Sequence, residues 1–473
     1  MDRKYKELFK NTGLLAISNF SSKILIFLMV PIYTRALTTS EYGFYDLTYT
    51  TIQLLFPILT LDIYEGVMRF MMKDHNTNRD IFSIGLIYTV VGSGIFGIGI
   101  YVAKIFNISK NINDFSWLIW FYFVTYALNN LMIQFAKGMD KVLDMAIAGL
   151  LGTLCMVLGN IYFLLISRLG LKGFYWANIL GQLVPTSFLV VQLKSWRYLC
   201  IPQNKVLIKQ LTLYTIPLIL NTLGWWANNT SDRYIVSAIC GVDANGLISV
   251  AYKIPNIITA IGAIFLQAWN ITVVKEYENN KRKISNYSNL FFVFNALFCL
   301  ISAILIIGNR FISSIIFAND FYTAWKYVPF LIISSLVNTN AGFLGPFLSA
   351  EMNSGAMAKS ALAGIIINIA LNIILTISIG PIGITIATAV ASVAIYYIRE
   401  KYTKGVIRSR NYKNIVLSWS LLVVISCVSL INNRNLFFIN LLLLGILLFI
   451  YRKALTSIIR IIREIIQKKP IKY

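Results

Sequence analysis

Long apolar runs, recurring from one end of the chain to the other, leave it one medium to fold in. Fourteen can be marked, at 12–36, 42–68, 81–104, 115–136, 143–167, 173–193, 210–239, 246–274, 287–309, 322–350, 358–379, 381–399, 412–431 and 435–451. As helices of roughly 20 residues, each covers the ~30 Å of a hydrocarbon core. With 57% hydrophobic and 13% charged residues over 473 positions, the chain lacks the polar surface a water-soluble exterior needs. In lipid the backbone must satisfy its own hydrogen bonds, which selects helices. The expectation is an all-α polytopic membrane protein of about 14 transmembrane helices. The division at Gly380–Pro381 rests on those two residues alone, because no charge separates the flanking runs.

The charges orient these spans. Lys and Arg number 42 against 19 Asp and Glu, a net +23. With the N-terminus inside and the spans alternating, inside segments hold 31 cations and outside segments 7. Such an asymmetry places both termini in the cytoplasm. It also argues against nucleic acid as a partner, since the cations are spread over eight short segments and form no single basic face. No loop exceeds about 16 residues, too few for a soluble catalytic domain or for the large outer loop of a membrane polymerase or ligase. The tail beyond Arg452 alternates Leu455, Ile458, Ile459, Ile462, Ile465 and Ile466 with Arg460, Arg463, Lys468 and Lys469. That pattern predicts an amphipathic helix on an anionic leaflet. The basic start Arg3, Lys4, Lys6, Lys10 runs into a first span with no small-x-small cleavage pattern, so that span is expected to be retained. Five unpaired cysteines and a single histidine, His75, supply no zinc set, and no P-loop or GxSxG occurs. Metal and catalytic chemistry are not expected.

A weak internal repeat divides the chain. Gly43 and Tyr49 match Gly246 and Tyr252 as Gly-x5-Tyr. Each pair follows a span bearing Pro and Asn: Asn19 and Pro31 in the first, Pro217, Asn221 and Asn228 in the second. Each of those spans closes on an arginine, Arg35 or Arg233. The copies are six spans apart, so they share one orientation and the repeat is parallel. The expected organisation is an N-terminal six-helix bundle (1–200), a C-terminal six-helix bundle (201–405), and two additional helices with the basic tail (406–473).

Polar residues inside the spans mark the candidate site. A charge at the bilayer centre costs about 2.5–3.5 kcal/mol on insertion scales and so tends to face a cavity. The stretch from Asn19 to Tyr49 reads as a Pro-bent helix carrying Lys23, a turn at Glu41-Tyr42-Gly43, and a second helix opened by Asp46 and Tyr49. It is expected to line a solvated path. Asp46, Thr50 and Gln53 share a face of that second helix. Asn221, Trp225, Asn228 and Asp232 form a stripe on the seventh span, and Lys253 and Asn256 lie on the eighth. Asp62, Glu65 and Arg69 are spaced to pair locally. Asn368 and Asn372 suit helix–helix adhesion as well as a site. Gly92, Gly94, Gly97 and Gly99 are read as small residues for close packing. Pro31 and Pro217 are the expected hinges.

The run Asn19…Ser22…Pro31-Ile-Tyr-Thr-Arg35…Glu41-Tyr-Gly43-x-Tyr45, followed by Asp232-Arg233 and Gly246, resembles the Wzx-type polysaccharide flippases. These are O-antigen and capsule repeat-unit transporters of the multidrug/oligosaccharidyl-lipid/polysaccharide exporter superfamily. The resemblance implies two six-helix bundles in a V around a cavity, in the bacterial cytoplasmic (inner) membrane. It implies flipping of undecaprenyl-diphosphate-linked oligosaccharide by alternating access, without enzymatic activity or a bound cofactor. Partners would be the lipid-linked oligosaccharide, membrane lipids, a polysaccharide polymerase and a chain-length regulator. For such a substrate the cations Lys23, Arg35, Arg233 and Lys253 suit a diphosphate. The amides Asn19, Gln53, Asn221, Asn228 and Asn256 suit a sugar. Asp46 and Asp232 would neutralise the cations in the empty state or carry a coupled proton, and coupling to H+ or Na+ stays open. A cation-coupled multidrug extruder of the same superfamily is the alternative.

Overall fold

A computed structural model describes residues 22–73, 77–279, 287–403, 412–431 and 434–456. Asn19, His75 and the amphipathic tail from Ile458 onward lie outside the described residues. Those described are almost wholly helical, as expected. Ten helices are long and apolar enough to cross a membrane, or up to twelve if each of two bent pairs is one span. The first predicted span is only partly described, and Leu436–Ile450 is a shorter apolar helix. Chain contacts divide the molecule into two compact units, Met1–Tyr234 and Ile235–Tyr473.

The first unit begins with a helical segment at residues 22–28 and then α1 (Val30–Ala36), with Pro31 in its first turn. A proline there loses no bond, because the first-turn N–H groups have no helical acceptor. Next come α2 (Thr39–Leu59) and α3 (Ile63–Met71), bent by 59° at a short break. Helices α4 (Asn78–Ile105), α5 (Lys110–Gly138), α6 (Val142–Asn160) and α7 (Gly170–Gln192) complete the unit's apolar bundle. Helix α8 (Lys205–Cys240) runs unbroken through Pro217.

The α2–α3 break is a local change of backbone. The Pro57 carbonyl accepts from Asp62 N at 2.9 Å, five residues on. Leu61 and Asp62 both take left-handed backbone, φ 52° and 53°.

The second unit contains α9 (Val242–Ala251) and α10 (Pro255–Asn279), bent by 46° at their junction. It continues with α11 (Tyr287–Ile307), the short α12 (Asn309–Ile316), α13 (Val328–Ala350), α14 (Ser354–Ile379), α15 (Ile382–Thr403), α16 (Tyr412–Leu430) and α17 (Arg434–Ile450). The chain does divide at Gly380, whose φ of +72° suits the residue without a Cβ. Lys326 falls in a 3₁₀ turn (Asn319–Lys326) ahead of α13 rather than inside that span.

The two repeat copies both carry a bent pair, but the bends are not equivalent. Tyr49 lies in the middle of α2, whereas its counterpart Tyr252 sits at the break itself.

Glycines of the third span are not all packing contacts. A Cβ at Gly92 would come within 2.6 Å of the Leu59 carbonyl oxygen, and one at Gly97 within 2.7 Å of Trp120. At Gly94 and Gly99 nothing lies within 4 Å, so the close-packing expectation holds for two of the four.

Candidate functional site

The turn expected at Glu41-Tyr42-Gly43 lies earlier, at Leu37–Thr38. Glu41 belongs to the first turn of α2, where it closes a capping box. Its backbone N–H donates to Thr38 Oγ1 at 3.2 Å, and its Oε2 accepts from Thr38 N at 2.9 Å. Two of the helix's unsatisfied donors are thereby met.

The tyrosines of this stretch are core, not cavity wall. Tyr33, Tyr42 and Tyr45 are buried. Tyr33 and Tyr45 pack edge-on to Phe174, at 4.9 and 4.5 Å between ring centres. Tyr45 also exchanges a hydrogen bond with the Tyr122 hydroxyl at 3.0 Å. The expectation that the whole stretch lines a solvated path is therefore corrected. The face of α2 bearing Tyr42 and Tyr45 joins it to α5 and α7, because aromatic rings give more area to burial than to a wetted surface.

Asp46 sits one turn beyond Tyr42. Its Oδ2 meets Arg233 Nε of α8 at 3.1 Å. Arg233 Nη1 meets Asp232 Oδ1 at 2.9 Å and donates to the Asn229 carbonyl at 3.2 Å. The three side chains are only 13%, 17% and 5% exposed for Arg233, Asp46 and Asp232. A guanidinium is suited to this, since its planar fork serves two carboxylates at once.

Three further bonds tie α8 to the first broken pair. Trp226 Nε1 donates to the Thr50 carbonyl at 2.9 Å, Thr222 Oγ1 to Asp62 Oδ2 at 2.9 Å, and the Tyr234 and Thr51 hydroxyls bond each other. Thr222, Trp226 and Arg233 of α8 meet Asp62, Thr50 and Asp46 in turn, so α8 runs antiparallel to α2.

The contact face of α8 is thus Thr222, Trp226 and Arg233, displaced by one residue from the stripe read in the sequence. Of that stripe, Asn221 and Trp225 are exposed, Asn228 is half-buried and Asp232 is buried. Gln53 lies half-buried beside the Tyr49 and Tyr126 hydroxyls. Lys23 and Arg35 are exposed, on the helical segment before α1 and at the end of α1. Asp62 and Glu65 take neutral partners, Thr222 and Gln134 (2.6 Å to Glu65 Oε1), in place of the expected pairing with Arg69.

In the second unit Lys253 lies in the α9–α10 break. Asn256, Gln267 and Asn270 are exposed along α10, on the one face their spacing implies. Asn372 donates to Asn368 Oδ1 at 2.9 Å, and Asn368 to Thr388 Oγ1 at 3.4 Å, which joins α14 to α15 as adhesion between helices.

The fold matches those of several solved membrane transporters. It matches the inward-closed lipid II flippase MurJ with a TM-score of 0.66 at 14% identity, over 93% of this chain and 99% of that one. An inward-facing multidrug resistance MATE family transporter of the MOP superfamily gives the same TM-score of 0.66 at 12% identity, over 84% and 99%. A MOP superfamily transporter from Pyrococcus furiosus, described as having a binding pocket of reverse polarity, gives 0.57 at 13% identity, over 84% and 96%. No curated protein sequence matches the chain. Residues 8–269 match the family described as polysaccharide biosynthesis protein. The chain belongs to that family, in agreement with the resemblance seen in its N-terminal motif.

Proposed function

We propose that this protein flips an undecaprenyl-diphosphate-linked oligosaccharide repeat unit from the cytoplasmic to the outer leaflet, for surface polysaccharide such as O-antigen or capsule. The family and the MurJ-like fold support the class. The observation that carries the chemistry is Arg233 held between Asp46 and Asp232 on two facing helices. In the empty site the carboxylates satisfy the guanidinium. A diphosphate accepts from a guanidinium as a carboxylate does and carries more charge, so substrate displaces Asp46 and loosens α2 from α8. Each exchange of partner is an event that alternating access can use, with bending at Pro31 and Pro217 opening the opposite side. Asp46, once released, is the group that takes up a coupled H+ or Na+. Lys23, Arg35, Lys253 and the amides Asn19, Gln53, Asn221, Asn228 and Asn256 are proposed to complete recognition. No covalent step is required, so the protein is read as a transporter and not an enzyme. It would serve in the bacterial cytoplasmic membrane, ahead of a polymerase and a chain-length regulator.

Deletion followed by analysis of membrane lipids tests this reading. Unflipped lipid-linked repeat units are expected to accumulate while surface glycan falls. Unchanged surface glycan would overturn it. The two carboxylates at the cluster favour one other reading, export of cationic drugs. Lowered drug tolerance with normal glycan after deletion would select that reading instead.

A further inference from the structure

The two helices beyond the repeat dock on α11 through buried polar side chains. Asn295 of α11 donates to the Tyr451 hydroxyl at 2.7 Å and accepts from Trp419 Nε1 of α16 at 3.0 Å. Ser418 of α16 bonds the same Tyr451 hydroxyl. All of Asn295, Ser418 and Tyr451 are fully buried. A satisfied buried network of this kind fixes α11, α16 and the end of α17 in one geometry.

Beside this network the ends of the three helices border an open cavity of about 540 Å³. Its apolar wall includes Phe292 and Phe449. Its polar lining is Asn289, Asn414, Arg452 and Lys453, with no carboxylate among the lining residues. The Arg452 guanidinium rests over the Phe449 ring at 4.7 Å, which holds the cation near the opening.

The starts of α11 and α16 and the end of α17 meet at one membrane face. In the orientation expected from the charges this is the cytoplasmic face. It is the positive side of the topology, where anionic lipid headgroups gather around basic pockets between helices.

We propose that this cavity seats the phosphate headgroup of an anionic bilayer phospholipid. Arg452 and Lys453 take the phosphate, Asn289 and Asn414 donate to its oxygens or to the glycerol, and the acyl chains leave along Phe292 and Phe449. A soluble anion would leave the apolar wall unused, and a zwitterionic headgroup would bring its own cation up against Arg452 and Lys453.

The test is the melting temperature of the purified full-length protein in detergent, titrated with four probes. These are dioleoylphosphatidylglycerol, dioleoylphosphatidylcholine, undecaprenyl phosphate and inorganic phosphate. Phosphatidylglycerol is expected to raise the melting temperature where phosphatidylcholine does not. In R452Q/K453Q the half-effective concentration of phosphatidylglycerol should rise roughly thirtyfold, the factor for two cations at a membrane surface. K359Q, which removes an exposed cation elsewhere on the same unit, should leave it unchanged and so serves as the folded control. An equal response to phosphatidylcholine, or an unchanged response in the double variant, overturns the proposal. An effect of inorganic phosphate alone would reduce the cavity to an unselective anion site. Undecaprenyl phosphate acting at far lower concentration would assign it to the substrate lipid.

Discussion

At the level of single residues, the decisive group is Arg233. It meets two carboxylates, so removing it breaks both contacts, whereas removing Asp46 leaves Asp232 still bonded to the guanidinium. Breaking a fully buried pair from one side costs roughly 3–5 kcal/mol. Here some solvent reaches the group, and about 2 kcal/mol is expected for Arg233→Gln after that discount. Thermal denaturation in detergent should therefore rank Arg233→Gln below Asp46→Asn, with both below the parent. Equal melting of the two variants would mean that Asp232 contributes nothing. In glycan export both should fail, because each lacks one half of the exchange. The sequence marked Asp46 and Asp232 as groups that would neutralise the cations of the spans, but not which cation each would meet. Asp46 lies in the second span and Arg233 at the end of the seventh, and no spacing rule links residues so far apart. Tyr42 and Tyr45 misled for the opposite reason. Tyrosine carries a polar handle on an apolar ring, and in the sequence only the handle suggested a role.

At the level of helices, positions of bends were less readable than positions of spans. Apolar runs located the spans, and Gly380 divided the last ambiguous pair. Proline showed that a bend was available but not where it would fall: α8 passes through Pro217 unbroken, while α2 breaks three residues beyond Pro57. The contact face of α8 was missed by a single residue for a related reason. Thr222 and Trp226 repeat with the same period as Asn221 and Trp225, so periodicity alone cannot choose between adjacent stripes. The end of α2 is held close by α4 at Gly92, and this supplies a sharp contrast. Gly92→Ala pushes a methyl onto the Leu59 carbonyl and should cost about 1–3 kcal/mol, as overpacking does. Gly94→Ala and Gly99→Ala meet nothing within 4 Å and should be neutral or slightly stabilising, since alanine is the better helix former. Unfolding of the three variants side by side checks this, and a neutral Gly92→Ala would show that α2 and α4 separate freely at that point.

At the level of the whole molecule, the sidedness read from the charges has a direct check. Asn107→Cys lies on the exposed turn after α4, on the face assigned to the outside, and native Cys200 lies exposed in a segment assigned to the cytoplasm. An impermeant maleimide should label the first in intact cells and the second only after the membrane is opened. The reverse pattern would invert the topology and with it the direction of transport. Class and fold came through the sequence because lipid imposes so few solutions. The site came through only in part, because its geometry depends on which helix faces meet. One of those meetings carries a practical dividend. The Trp226 indole is hydrogen-bonded across to the Thr50 carbonyl and lies edge-on to Tyr234 at 5.5 Å. Indole emission responds to the loss of such a bond, so the protein holds a native fluorophore at the seam between α2 and α8. Opening of that seam by substrate can be followed optically as the difference between the parent and Trp226→Phe, which subtracts the emission of the other eight tryptophans.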